Sequence, residues 1–126
     1  MEVEIILYVS NLEKSKVFYS LVLNQQPVLD VPGMVEFELG TAIKLGLMPE
    51  SGIAKIICPI LPHPSSTHGK PRCELYFKCP DYQDYFNRAL SAGALLISPV
   101  IARDWGHIVG YLADYDGHVL AFAGDY

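Results

Sequence analysis

Basic residues are scarce in this chain of 126 residues: nine Lys and Arg stand against fourteen Asp and Glu, a net charge of −5. Those nine form no run, which excludes the electrostatic footprint of a nucleic-acid binder. No apolar stretch reaches the eighteen or so residues that a membrane-spanning helix needs. Cysteine is sparse as well. Cys58, Cys73 and Cys79 are odd in number and lack the spacing of a zinc knuckle, so they read as thiols kept reduced in a cytoplasm. The opening Met1-Glu2-Val3-Glu4 is acidic, the reverse of a secretory signal's basic start, and supports the same cytoplasmic expectation. There is no Gly-rich phosphate loop, and no serine or cysteine stands with a positioned base.

What remains is a globular composition, 51% hydrophobic and 18% charged, with length for one domain. Within it one plan occurs twice. Glu4-Ile5-Ile6-Leu7-Tyr8-Val9 leads into Ser10-Asn11, a helix-like run and three short strand-like runs. Glu74-Leu75-Tyr76-Phe77-Lys78-Cys79 leads into Pro80-Asp81 and the same order of elements. The boundaries read as a first module over about 1–48, a linker over about 49–71 and a second module over about 72–126. A duplicated unit of this kind builds a cleft between its halves, where equivalent positions face each other.

In the first module, residues 3–9 have strand propensity, and Ser10 with Glu13 reads as a capping box opening a helix. Leu12, Ser15, Tyr19 and Val22 then share one helical face, with Phe18 beside them, through about Leu23, before Gln26-Pro27. Strands follow over 27–31, 34–39 and 41–48, punctuated by Pro32-Gly33 and Gly40-Thr41. Five prolines mark 49–71 as a long connection, a lid or a linker, in which Ile53–Ile60 could pair as a short strand. In the second module strand 72–79 precedes a helix with Asp81 as N-cap and Tyr82, Phe86, Ala89 and Leu90 on one face. Gly93 stands where a helix end needs a left-handed residue. Strands near 95–103, 107–113 and 118–124 complete it, with turns at Trp105-Gly106 and Asp114-Tyr115-Asp116-Gly117.

The run Val9-Ser10-Asn11-Leu12-Glu13-Lys14-Ser15 with Phe18-Tyr19 resembles a known strand-to-helix signature. So does the closing run from Trp105-Gly106-His107 through Asp114-Tyr115-Asp116-Gly117-His118-Val119-Leu120, in which Tyr115 stands where a proline is usual. Both resemble the glyoxalase / bleomycin-resistance / extradiol-dioxygenase group, the vicinal oxygen chelate superfamily, along essentially the full chain. The resemblance implies an α+β fold of two βαβββ modules in a curved, barrel-like mixed sheet with helices on its convex side. It also implies frequent homodimers.

Strand alternation sorts the side chains. Ile5, Leu7 and Val9 take one face and Glu4, Ile6 and Tyr8 the other. Leu75, Phe77 and Cys79 oppose Glu74, Tyr76 and Lys78; Ile43, Leu45 and Leu47 oppose Ala42, Lys44, Gly46 and Met48; Leu120 and Phe122 oppose Val119, Ala121 and Ala123. Glu4, Lys44, Glu74 and Ala121 therefore face the cleft. The resemblance implies that these are the positions where metal-using members carry two histidines and two carboxylate or amide ligands. Ala121 offers no ligand atom, and Lys44 places a cation where a metal would sit. The expectation is a cleft with no metal and no cofactor, holding a Glu4–Lys44–Glu74 ion cluster. Removing one member of such a cluster, if fully buried, costs roughly 3–5 kcal/mol.

Tyr8, Tyr76, Trp105 and Tyr111 are candidates to line an apolar-walled pocket. His63, His68 and His118 read as surface or turn histidines, whereas His107, next to Trp105, is a candidate ligand contact or general base. The leading expectation is a metal-independent, bleomycin-resistance-like protein binding a small organic ligand in the cleft. Glu4, Glu74 and the net negative charge favour a cationic or amine-bearing one. The competing expectation is a glyoxalase-like lyase or isomerase using a divalent metal, or Glu4 or Glu74 as its base.

Overall fold

The computed structural model describes residues 1–126 and is α+β, as expected. The chain divides into two compact units, Met1–Ser20 with Asn24–His68, and Leu21–Leu23 with Gly69–Tyr126. The first unit holds β1 (Val3–Val9), β2 (Leu29–Val31), β3 (Met34–Gly40) and β4 (Ile43–Pro49) in one mixed sheet of order β1-β4-β3-β2. The second holds β5 (Glu74–Lys78), β6 (Leu95–Ala102), β7 (His107–Ala113) and β8 (Val119–Asp125) in the order β5-β8-β7-β6. In each sheet the first and last strands of the unit run parallel and the other pairs antiparallel. The duplication read in the sequence is thus a duplication of topology.

Helix α1 (Leu12–Leu23) buries Ser15, Phe18, Tyr19 and Val22, the face that helical spacing picks out. Its cap differs from the expectation by one residue. Asn11 Oδ1 accepts from the Lys14 amide at 3.0 Å, satisfying a donor of the first turn, and the helix begins at Leu12. The prediction for 49–71 is corrected more substantially: Glu50–Ile57 is not a strand but a second helix, α2, packed on β4 and β1 through buried Ile53. Glu50 in its first turn and Lys55 in its last suit the helix dipole, and Pro49 precedes it where no amide is needed. A short 3-10 turn, Pro64–Thr67, follows, with His63 Nδ1 accepting from the Ser65 amide.

Helix α3 (Tyr82–Ser91) lies on β8 and β7. Asp81 occupies its N-cap, yet its side chain makes no capping bond; that carboxylate is engaged with the Cys79 thiol instead. Burial first, and then Asp81, push the thiol up to about 11, so Cys79 is an inert thiol. Gly93 ends α3 at φ +103 as expected, in contact with the Tyr115 ring. α3 comes close to the sheet because two strand residues lack side chains. A Cβ on Gly110 would lie 2.4 Å from the Phe86 ring, and one on Gly124 would lie 2.3 Å from Tyr82.

Each sheet has a core face. In the first unit Leu7, Val9, Val35, Phe37, Leu45 and Leu47 are buried. In the second, Phe122 stacks between Phe77 and Tyr85, with Leu112 and Leu120 buried beside them. The alternation read from the sequence matches this burial on β1; on β4 Gly46 of the opposite face is buried as well, and on β5 Leu75 is buried while Tyr76 and Phe77 are both half-buried. On β8 it needs an addition, since Ala121 and Ala123 on the opposite face are fully buried too.

Candidate functional site

On the first unit's opposite face, Glu4 on β1 lies directly across from Lys44 on β4, which lies across from Glu38 on β3. One step along, Gly46 is flanked by Ile6 and Glu36. Gly46 is what lets the acids converge: a Cβ there would sit 3.3 Å from the Glu4 carboxyl carbon and 3.1 Å from Ile6 Cγ1. Glu4 crosses this gap to hydrogen-bond the Glu36 carboxyl. That bond, then burial, then the Glu36 charge raise the Glu4 pKa from 4.5 to about 6, against the lowering influence of Lys44. Glu4 Oε1 is shut off from solvent with no hydrogen-bond partner. Lys44 Nζ lies 3.7 Å from Glu36 Oε1, with its own side chain 47% exposed. The pocket beside them, about 330 Å³, is lined by Glu2, Glu4, Glu36, Glu38 and Lys44 among others.

The ion-pair partner of Lys44 in this unit is therefore Glu36, a residue that the sequence reading did not single out. Glu74 lies on β5 of the second unit, exposed, and acts on Tyr111. Tyr8 lies on β1, more than a third exposed.

The second unit's opposite face is built from different chemistry. Ala121 pairs with Tyr76 on one side and Tyr111 on the other, while Ala123 pairs with Val109. Val109, Ala121 and Ala123 form a buried cluster against which both tyrosines pack. At its edge Trp105 Nε1 donates to the Tyr76 hydroxyl at 3.0 Å, and that hydroxyl is bonded to His107 Nδ1 at 2.8 Å. His107 Nε2 lies 3.9 Å from Asp125 Oδ1, and Lys78 Nζ reaches the same carboxylate at 3.1 Å. The Arg103 guanidinium stacks 5.0 Å from the Tyr111 ring centre while donating to Ser98 Oγ, Pro99 O and Val109 O. Burial, then Glu74 and Tyr76, raise the Tyr111 pKa, and Arg103 opposes them. Four of the predicted ligand contacts, Tyr76, Trp105, His107 and Tyr111, thus lie in one connected group.

The residues at the positions where the resemblance implies metal ligands do not make a donor set suited to a divalent transition metal. By ladder register Glu4 is paired with Lys44 and Glu74 with Val119; two steps along, Ile6 is paired with Gly46 and Tyr76 with Ala121. Whichever row is taken, the last strand of each unit supplies an ammonium, an alkyl group or a hydrogen, and no donor atom. A different cluster was missed in the sequence. Ligand atoms of Asp114, Asp116 and His118 lie within 4.8 Å of one another in the β7–β8 turn. There Asp114 Oδ1 accepts from the Asp116 and His118 amides at 3.0 and 2.9 Å, and Oδ2 is 2.7 Å from His118 Nδ1. The alternating Asp-x-Asp-x-His spacing was its signal.

A sequence model of the family described as "Glyoxalase-like domain" matches residues 2–124. The chain belongs to the glyoxalase-like domain family. Solved structures agree. A glyoxalase-related enzyme from Fulvimarina pelagi is similar at 22% identity and a TM-score of 0.83, over 99% of this chain and 88% of that one. A glyoxalase/bleomycin resistance protein/dioxygenase family enzyme from Burkholderia phytofirmans PsJN is similar at 15% identity and a TM-score of 0.81, over 98% and 97%. A glyoxalase/bleomycin resistance protein from Albidiferax ferrireducens T118 is similar at 16% identity and a TM-score of 0.71, over 98% and 97%. At these identities the likeness carries the fold alone. No curated protein sequence matches the chain. No helix of this glyoxalase-like chain is long and apolar enough to cross a membrane.

Proposed function

We propose that this glyoxalase-like protein binds a small organic ligand without a metal, on the aromatic group of its second unit. One observation carries the reading. Where the family places a metal ligand, Ala121 instead forms the floor under Tyr76 and Tyr111, and Trp105, Tyr76 and His107 are joined in a hydrogen-bonded chain beside it. Apolar walls with a few fixed polar groups are the usual make-up of a small-molecule site. Glu74 and the net charge of −5 support an amine on the ligand, and Arg103 supports an acidic group near Tyr111. The bleomycin-resistance relatives lend the plan, and homodimers in a cytoplasm remain part of this proposal.

Trp105 is the chain's one tryptophan, so its emission reports on the site itself. A panel of aromatic amines and phenols, titrated with a chelator present, should quench it saturably, and Tyr111→Ala should weaken that quenching. Emission indifferent to the whole panel would remove the reading.

The Glu4–Glu36 pair favours a second reading, a lyase or isomerase that moves a proton with Glu4. A carboxyl whose pKa sits near 6 is suited to acid–base work at neutral pH. Turnover of a carbonyl substrate abolished by Glu4→Gln would establish it.

A further inference from the structure

We propose that Tyr76 and His107, with Asp125 nearby, form a proton acceptor through which the second unit binds a weakly acidic phenol or enol as its anion. The inference rests on the ligand-binding reading and adds the chemistry of one ligand group.

The hydrogen bonds point there. The Trp105 indole N–H can only donate, and it donates to the Tyr76 oxygen. The 2.8 Å bond to His107 Nδ1 has room for either the Tyr76 proton or an Nδ1 proton; the relay uses the first arrangement, with Nδ1 as acceptor and the proton of a neutral ring on Nε2. Nε2 lies 3.9 Å from Asp125 Oδ1, a carboxylate that Lys78 on β5 also reaches, at 3.1 Å. Tyr76 thus has a base behind it and a lone pair still available in front.

The step balances within these groups. The ligand's O–H bond breaks and its proton passes to the Tyr76 oxygen. The original Tyr76 proton passes to His107 Nδ1. The products are a ligand anion, a neutral Tyr76 and an imidazolium facing Asp125, and no redox partner is involved. Two features select the ligand class. Trp105, more than half exposed, and the partly buried Tyr76 and Tyr111 supply aromatic surface for a planar, unsaturated molecule. Arg103, whose hydrogen bonds all go to neutral oxygens, leaves a positive charge beside Tyr111 to receive the anion.

The test uses the full chain and 4-nitrophenol, whose anion absorbs in the visible, at a pH where the free compound is protonated. Trp105 quenching reads binding, and the phenolate band reads ionisation. Wild type should quench and show the band; Tyr76→Phe and His107→Gln, whatever affinity they lose, should show no band at nitrophenol concentrations that saturate their own quenching. Quenching without the band in wild type, or a band that survives Tyr76→Phe, overturns the relay and leaves the binding reading standing. Absence of quenching removes both for this ligand class. A variant-free check is the ¹⁵N spectrum of neutral His107: the Nε2–H tautomer is expected, and the Nδ1–H tautomer overturns the relay.

Discussion

The two units share a strand order and differ almost completely in what they place on the face opposite the core. The first unit puts carboxyls there: Glu4, Glu36 and Glu38 around Lys44, brought together over the bare backbone of Gly46. The second puts alanines and rings there, with Ala121 and Ala123 fully buried under Tyr76 and Tyr111. The comparison teaches that one topology fixes where side chains point and leaves their chemistry free. A small residue does opposite work on the two faces. Gly46 makes room for acids to meet, whereas Ala121 makes a floor for rings.

The sharpest way to break this contrast is to give the second unit the acid that metal-using relatives of the superfamily carry. Ala121→Glu puts a carboxylate among Val109, Ala123 and two tyrosines and should destabilise the fold by roughly 3 kcal/mol or more, read by urea unfolding. Next come the close approaches of α3. Gly110→Ala and Gly124→Ala force a methyl onto Phe86 or Tyr82 and should each cost about 2 kcal/mol in the same assay. Gly46→Ala in the first unit meets Ile6 Cγ1, the Glu4 carboxyl carbon and Met34 Sδ at 3.1, 3.3 and 3.4 Å, looser approaches than those at Gly110 and Gly124. Its cost should be smaller, about 1 kcal/mol, and carboxyl NMR should show the Glu4 pKa falling as its side chain is pushed off Glu36.

The carboxyl pair makes a pH prediction. The Glu4 pKa is higher in the fold than the ordinary 4.5, so the folded state holds the proton more tightly than the unfolded chain. Its contribution to stability is full below 4.5 and is lost as pH rises through about 6. Stability measured across that window should decline in wild type and flatten in Glu36→Gln; a flat wild-type profile contradicts the pair. The smallest effect belongs to Lys44→Ala. With the ammonium half exposed and 3.7 Å from Glu36, its loss should cost less than about 1 kcal/mol, well below the value for a buried cluster. It should push the Glu4 pKa higher still, because Lys44 is the influence that lowers it.

The elements that could be read in the sequence are those whose pattern agrees with their packing. The buried face of α1, the alternation on β1, the left-handed glycine at 93 and the turns at 105–106 and 114–117 are of this kind. Helix α2 was hidden because isoleucines between prolines look like a strand, and packing against β4 and β1 overrode that propensity. Glu36 was hidden for another reason. Its role depends on a diagonal across three strands and on a missing Cβ at Gly46, neither of which alternation within one strand reports. The group Tyr76, Trp105, His107 and Tyr111 was legible as candidates, while its hydrogen bonds, and the part played by Arg103 and Asp125, required the register of β5 to β8.

The measurement that bears most directly on a metal-free site is the metal content of the purified protein together with its melting temperature under Ni²⁺, Zn²⁺, Fe²⁺ and Mn²⁺. The account predicts no stoichiometric metal and no shift that depends on Glu4 or Glu74; a shift abolished by His118→Ala would belong to the β7–β8 turn. A bound metal, or a shift of several degrees lost in the Glu4→Ala/Glu74→Ala double variant, would contradict it and return the chain to metal chemistry.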